Sequence, residues 1–205
     1  MVKQTDAFAY STLLEFWFGN KESDAEVIEE KSSLWWDKNE KTDAYISKHY
    51  SDLLSRSVRG ELNDWVNEPR GHLALIILMD QFSRNIYRDT ARSFSQDEPA
   101  LALAVRGTES GVDKKLRAVE RVFFYLPFEH SEAVEMQENS VRLYQTLLDG
   151  VADRDKEKFA DYLDYAVKHA DIVRRFKRFP HRNKLLGRKS TPEEIEFLKQ
   201  PGSSF

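Results

Sequence analysis

Cysteine is absent from this 205-residue sequence, and glycine and proline are scarce at 8 and 6 residues. The lack of cysteine excludes disulfide frameworks, thiol nucleophiles, zinc fingers and iron–sulfur clusters. Glycine and proline together reach about half of their usual ~12% share, which disfavours a turn-rich sandwich or barrel. The longest uncharged apolar run, residues 73–79, is far below the ~20 residues of a membrane span. With no signal-like apolar core in the first ten residues, we expect a cytoplasmic protein without membrane association.

The sequence is rich enough in apolar residues to build a core, because 40% of residues are hydrophobic and 12% are aromatic. The length suits one domain of ~150 residues or slightly more. Apolar residues recur at spacings of three and four nearly throughout, and the alternation typical of strands is missing. We therefore predict a single all-α domain over residues 1–205, with eight or nine helices in stacked antiparallel hairpins that form a compact superhelical array.

Caps and helix breakers set the predicted helix boundaries. Gly19 is suited to a left-handed helix exit, Thr191 and Glu194 begin a capping box, and Pro127 is predicted to end the sixth helix. The run 73–79 is apolar all round, which is typical of a helix enclosed by others. The predicted helices cover about residues 6–18, 24–36 (helical or irregular), 42–59, 71–82, 97–110, 114–125, 131–149 and 155–176, with a short one after Thr191.

Charge is segregated along the chain, although the net charge is only −4. Residues 172–189 hold eight basic residues and no acidic one, which leaves 23 basic against 35 acidic residues elsewhere. Residues 122–141 hold four glutamates and no lysine or arginine. Opposite charges of this kind favour pairing, so we predict a salt bridge between Glu129 or Glu132 and a cation of residues 174–188.

Polar side chains fall on helix faces that should be buried. Asp80 shares a face with apolar residues of the fourth helix, His130 and Gln137 lie on the stripe of the seventh, and His169 lies on that of the eighth. An unpaired buried polar group costs ~1–3 kcal/mol, so these groups must contact one another or a ligand. Asp80 is predicted in the last turn of its helix, where a carboxylate opposes the helix dipole, and should therefore have a cationic partner.

Two similar motifs follow predicted helices, Asp80-Gln81-Phe82-Ser83-Arg84-Asn85 and Arg178-Phe179-Pro180-His181-Arg182-Asn183. Arginine offers a planar fork for a carboxylate or phosphate, and asparagine offers both a donor and an acceptor. We expect both motifs to meet the polar stripes in one site, with Arg84 and Arg182 open to solvent through a cleft. The candidate site residues are Asp80, Gln81, Arg84, Asn85, Glu129, His130, Glu132, Gln137, His169, Arg178, His181, Arg182, Asn183 and Arg188.

Other site chemistries have weaker support. The run Glu129-His130-Ser131-Glu132 lacks the helical spacing of paired metal ligands, so no metal is predicted. Ser131 beside His130 lacks a nucleophile elbow. No glycine-rich phosphate loop is present, so no cofactor is predicted. Nucleic acid is not predicted as a partner, because the sequence pI of 5.8 and the acidic remainder argue against an extended basic face.

Four stretches of the chain resemble one protein family: residues 16–19 (FWFG), Leu73–Arg88, Phe123–Gln137 and Arg175–Glu194. Together they resemble, in the same order, the bacterial DUF924 family. The resemblance implies a tetratricopeptide-like fold and a shared polar cluster, and it implies no activity, because the family has none assigned. Ser83 stands where proline is usual and should relax a helix exit. Lys177 stands where glycine is usual and should prolong the eighth helix.

Three functions remain open from the sequence. The inward polar cluster could bind a small anionic ligand, or a peptide on a concave helical face. It could instead be a hydrolase site in which His130 or His181 is the general base. The orienting carboxylate would then be Asp80 or Glu132, and the clamp for a developing negative charge would be Arg84, Arg182 or Arg188. In the third alternative the cluster only stabilises the fold.

Overall fold

The computed structural model describes residues 4–204, with side chains from residue 8 onwards. This part of the chain is all-α and contains no β-strand, as predicted. None of its helices combines the length and hydropathy that a transmembrane segment requires. The helices are α1 Gln4–Phe18, α2 Asp24–Trp36, α3 Glu40–Val58, α4 Pro69–Ile77, α5 Ser83–Ile86, α6 Asp97–Glu109, α7 Ala118–Glu129, α8 Val134–Gly150, α9 Lys156–Phe176 and α10 Pro192–Phe197.

Helix α4 lies at the centre of the core, as its uninterrupted apolar sequence predicts. Residues 73–78 are at most 2% exposed, and α1, α6 and α7 pack around the helix. Trp17 and Phe123 meet edge to face beside it, with ring centroids 5.6 Å apart. This core fixes the direction in which the residues that follow α4 project.

Asp80 does not end a helix, so the prediction of a last helical turn there is wrong. It lies in a π-helical turn, Leu78–Phe82, that joins α4 directly to α5. A π turn admits an extra residue into a helix and is frequent at functional sites. The helical path continues through Ser83, whose backbone N–H donates to the carbonyl oxygen of Leu78, a bond that proline could not make. Ser83 therefore does not relax a helix exit.

Helix α7 begins and ends later than predicted. The lysines at 114 and 115 belong to a preceding 3-10 turn, and Pro127 lies inside the helix near its end. Proline lacks the N–H that would bind the carbonyl of Phe123, yet α7 continues to Glu129, where another side chain binds its end. The buried amide Nε2 of Gln137 donates hydrogen bonds of 2.6 Å to the carbonyl oxygens of Glu129 and Ser131. His130 therefore follows α7, and α8 begins only at Val134.

Helix α9 ends at Phe176, and Lys177 does not prolong it. Lys177 adopts a left-handed conformation, with φ of 58°, which glycine would adopt without steric cost. The chain then turns back through a 3-10 turn at Pro180–Arg182 and enters α10 through the predicted capping box of Thr191 and Glu194. This reversal carries the second arginine motif towards α5.

Candidate functional site

Asp80 and His130 form a buried pair. The Nδ1 atom of His130 lies 2.7 Å from Oδ1 of Asp80, and the amide of Gln81 donates to Oδ2 at 2.6 Å. Burial opposes ionisation of Asp80, but His130, Arg84 and Gln81 outweigh it and hold its pKa well below the usual range. Burial, followed by the charge of Arg84, lowers the pKa of His130. Around pH 7, Asp80 is therefore ionised beside the neutral imidazole of His130.

This pairing fixes the tautomer of His130. An ionised carboxylate only accepts hydrogen bonds, so the ring donates its Nδ1–H to Asp80 and keeps a lone pair on Nε2. The His130 side chain is 15% exposed, whereas Asp80 is 1% exposed. His130 is therefore a neutral, partly exposed imidazole that a buried carboxylate orients.

Two arginines converge on Asp97, the first residue of α6. Arg84 donates from one Nη to Oδ1 at 2.9 Å, and Arg182 donates from one Nη to Oδ2 at 3.2 Å. Arg84 also lies 3.6 Å from Asp80. Burial raises the pKa of Asp97, with Asp80 adding to the increase, while both arginines oppose it. The two arginine motifs of the sequence thus meet at a carboxylate that neither contains.

The Nε atoms of Arg84 and Arg182 are both buried, and neither has a hydrogen-bond partner within the described residues. The ring of Phe94 lies against both guanidinium groups, at 5.4 and 4.8 Å from ring centroid to Cζ. The ring centroid of Phe179 lies 4.4 Å from Cζ of Arg182. Burial, followed by the charge of Arg84, lowers the pKa of Arg182 to about 10. The pair therefore has unsatisfied donors and mutual repulsion.

Glu129 is a buried carboxyl group on the inner side of the site. Its Oε1 lies 3.2 Å from Nδ1 of His169. Burial, followed by the charge of Asp80, raises the pKa of Glu129 to about 8, against an opposing effect of the neighbouring Tyr144 hydroxyl. Burial is also the main reason that the pKa values of His169 and His181 fall to about 3 and about 4. Around pH 7 the two inner carboxyl groups therefore differ, with Asp80 ionised and Glu129 protonated.

A second polar network holds the C-terminal segment against the turn after α7. Glu132 accepts bonds of 2.6 and 2.9 Å from Arg188 and one of 2.8 Å from the backbone N–H of Phe179. This confirms the predicted salt bridge for Glu132, whereas Glu129 contacts His169. Arg178 and Asn183 bind Glu194 of α10. This network positions the segment that carries His181 and Arg182.

The structure separates the predicted residues into three groups. The central cluster contains Asp80, Gln81, Arg84, Glu129, His130, His169, His181 and Arg182, and Gln137 supports the turn beneath His130. The C-terminal network contains Glu132, Arg178, Asn183 and Arg188. Asn85 lies outside both, where its amide and Arg88 bind Asp43.

Arg182 is not open to solvent, so that prediction is wrong. Its side chain is 7% exposed, because Phe94 and Phe179 cover its guanidinium. Arg84 and Asp97, at 20% and 21% exposure, form the edge of the cluster with His130. Sequence reasoning missed Asp97, Phe94 and Tyr144 as members. The position of Asp97 directly before an apolar helical run indicates the start of a helix. This position gives no indication of two arginine partners.

The described side chains form no metal centre at the cluster, and two surface cavities are lined by other residues. Among the described side chains, no group of three or more histidines or carboxylates is arranged to hold a metal ion. A surface cavity of about 250 Å³ lies beside Leu54, Tyr87 and Arg92, and one of about 450 Å³ lies between Arg175 and Glu193. Neither cavity is lined by Asp80, His130 or Arg182. The cluster meets solvent at its partly exposed edge, where Arg84, Asp97 and His130 lie.

Comparison with known proteins identifies the family. The family model described as a bacterial protein of unknown function, DUF924, matches residues 13–202. A solved structure of a protein of unknown function from Agrobacterium tumefaciens, ATU0120, is similar at 34% identity with a TM-score of 0.80, covering 94% of this chain and 98% of that one. No curated protein matches. The match over most of the length shows that this chain belongs to the DUF924 family.

Proposed function

We propose that the central cluster binds a small molecule through an anionic group held by Arg84 and Arg182. The observation that carries this proposal is the pair of buried Nε–H groups that have no acceptor within the described residues. Native proteins satisfy nearly all buried donors, so an unsatisfied donor calls for an explanation such as a missing ion or ligand. Two such donors on neighbouring guanidinium groups favour an anion as the missing partner.

The edge of the cluster supplies further recognition. His130 and Arg84 are both partly exposed there, so a ligand can contact a guanidinium and a neutral imidazole together. Guanidinium groups bind carboxylates and phosphates with two parallel hydrogen bonds. A peptide fits this proposal only if it presents such a group, for example at its C-terminus. A purely stabilising network is the alternative that the following experiment tests.

Replacing Arg84 with glutamine should abolish stabilisation of the protein by anions. A ligand at a hundredfold excess over Kd stabilises a protein by about 2.7 kcal/mol, which for a chain of this size raises Tm by about 5–10 °C. Melting temperatures of the parent and Arg84→Gln are measured with acetate, succinate, phosphate and sulfate, at constant ionic strength. We expect the increase in the parent and none in the variant.

The matched control is Arg88→Gln, four residues further along the chain and just beyond α5. Arg88 pairs with Asp43 outside the cluster, so this variant should keep the full response to anions. If the parent shows no increase with any anion, the ligand-binding proposal fails and a stabilising network explains the cluster. An equal response in both variants would mean that the anion binds elsewhere.

A second candidate function is hydrolysis with His130 as general base. The specific observation in its favour is the Asp80–His130 contact, since a buried carboxylate that orients an imidazole is the usual partner of a histidine base. Asp80 is the orienting carboxylate in this proposal, because Glu132 is bound to Arg188 instead. Arg84 would stabilise negative charge that develops on the substrate.

His130→Gln separates binding from hydrolysis. Glutamine keeps a donor towards Asp80 but cannot accept and release a proton, so hydrolysis should fall by about 100-fold or more while anion binding persists. The assay follows 4-nitrophenol release from the monoester of succinic acid and from the uncharged acetate ester. Catalysis that survives in His130→Gln, or that is absent from the parent, excludes the hydrolase proposal.

We also propose that the chain acts as a single domain in the cytoplasm. The central cluster connects the π turn after α4 to the end of α7, and α7 to α9, which supports one folding unit. Size-exclusion chromatography with light scattering would give the oligomeric state.

A further inference from the structure

We propose that Asp97 is an internal carboxylate ligand of the arginine pair, which a carboxylate on the bound molecule displaces. This inference rests on the proposed function and assigns the chemical class of the ligand. It starts from the division of the Asp97 oxygens, one bound to Arg84 at 2.9 Å and the other to Arg182 at 3.2 Å. A single carboxylate thus bridges two guanidinium groups from separate segments.

Asp97 satisfies each arginine only in part. It accepts a hydrogen bond from one Nη of each guanidinium. Both Nε–H groups remain without an acceptor among the described residues. A carboxylate that is free to orient itself can bind the Nε and Nη donors of a guanidinium together in a bidentate contact. A ligand carboxylate can therefore make hydrogen bonds that the tethered Asp97 does not make.

Charge balance favours displacement over addition. Arg84 and Arg182 carry two positive charges, which the carboxylates of Asp80 and Asp97 balance. His130, His169 and His181 are held neutral by burial, and Glu129 is protonated. Adding a further anion would place excess negative charge beside buried Asp80. Exchanging Asp97 for the ligand keeps the cluster neutral, because one carboxylate replaces another. Asp97 is already partly exposed and can turn towards water.

The segment that carries Asp97 also covers the arginines. Phe94, three residues earlier, lies against both guanidinium groups and closes a short 3-10 turn, Ala91–Phe94, directly before α6. Release of Asp97 would therefore also loosen the aromatic cover over the Nε–H groups. The carboxylate of Asp97 and the ring of Phe94 therefore act together as an internal cap on one anion site.

The prediction is that Asp97→Asn binds succinate more tightly than the parent does. While Asp97 occupies the arginines, only a fraction of the molecules can bind the ligand, and the apparent Kd is the intrinsic Kd divided by that fraction. Removing Asp97 should therefore lower the apparent Kd about tenfold. Affinities for succinate, acetate and inorganic phosphate are measured by titration calorimetry on the full chain. The control is Asp43→Asn, which removes a carboxylate bound to Arg88 outside the cluster and should leave Kd unchanged.

The outcomes separate this inference from the binding proposal. Tighter succinate binding by Asp97→Asn, with or without measurable binding by the parent, supports the inference. Parent binding that is unchanged or weaker in Asp97→Asn overturns it and leaves the binding site standing. A gain for phosphate alone overturns the carboxylate assignment, and no binding by either protein overturns both proposals.

A second variant covers the case in which Asp97→Asn does not fold. Phe94→Leu keeps the charge of Asp97 and removes only the ring that lies on the guanidinium groups. It should also lower the Kd for succinate, by about threefold, through a larger open fraction. An unchanged Kd in Phe94→Leu would overturn the inference in that case.

Discussion

Asp80→Ala is expected to lower the free energy of unfolding by about 3–5 kcal/mol, because it removes one partner of a buried ionic pair. The carboxylate accepts hydrogen bonds from His130 and Gln81 and lies 3.6 Å from Arg84. Alanine leaves these donors buried without an acceptor and leaves the charge of Arg84 less balanced. For a chain of this length, the melting temperature should fall by roughly 10 °C, as measured by calorimetry or circular dichroism.

Asp43→Ala is the matched control, since Asp43 also binds an arginine and an amide but lies closer to the surface. Water can replace its partners, so we expect a loss of about 1 kcal/mol. If Asp80→Ala costs no more than Asp43→Ala, Asp80 is not the ionised centre of a buried cluster. The proposed tautomer of His130 would then lose its basis.

The second large effect concerns pH and Glu129. Its pKa is raised from 4.5 to about 8 in the folded protein, so the folded state holds a proton that the unfolded chain releases at lower pH. Its contribution to stability is fully present below pH 4.5 and is lost progressively as the pH rises to about 8. At 1.36 kcal/mol per pKa unit, the loss between pH 5 and pH 8 is about 3 kcal/mol.

Glu129→Gln should remove this pH dependence, because glutamine resembles the protonated acid and does not titrate. The measured quantity is the difference in unfolding free energy between variant and parent, from urea titrations at pH 5, 6, 7 and 8. The difference cancels the histidines, whose lowered pKa values act in the opposite direction. Stability of the variant relative to the parent should rise by about 3 kcal/mol over this range.

Glu132→Gln serves as the control for the pH series. Arg188 and the Phe179 backbone lower the pKa of Glu132 against its partial burial, so it is ionised in both states throughout the range. Its difference from the parent should not change with pH. If Glu129→Gln gives an equally flat difference, Glu129 is ionised in the folded protein, and the contrast with Asp80 does not exist.

The helices and their order could be predicted from the sequence, because they depend on local caps and apolar periodicity. The capping box at Thr191 and the enclosed helix at 73–79 are examples. The π turn at Leu78–Phe82 could not be predicted, since it changes the register of an apolar run without altering its composition. The end of α7 was missed because Gln137 binds its carbonyl groups from eight residues further along.

The candidate cluster could be predicted only in part for a similar reason. Inward polar positions on helices indicated Asp80, His130 and His169, which the fold does bring close together. Asp97 gave no such indication, because its role depends on two arginines that are 13 and 85 residues away. Burial of Arg182 likewise depends on Phe94 and Phe179, which meet only after the chain reverses beyond α9.

The most direct test of the binding proposal observes the two Nε–H groups themselves. Nuclear magnetic resonance of the protein carrying isotope-labelled arginine, titrated with succinate, reports on each Nε–H separately, with Arg84→Gln used to assign one signal. The account predicts that the signals of Arg84 and Arg182 shift together and saturate, while that of Arg88, which already donates to Asp43, stays unchanged. Signals of Arg84 and Arg182 that do not move at any succinate concentration would contradict it.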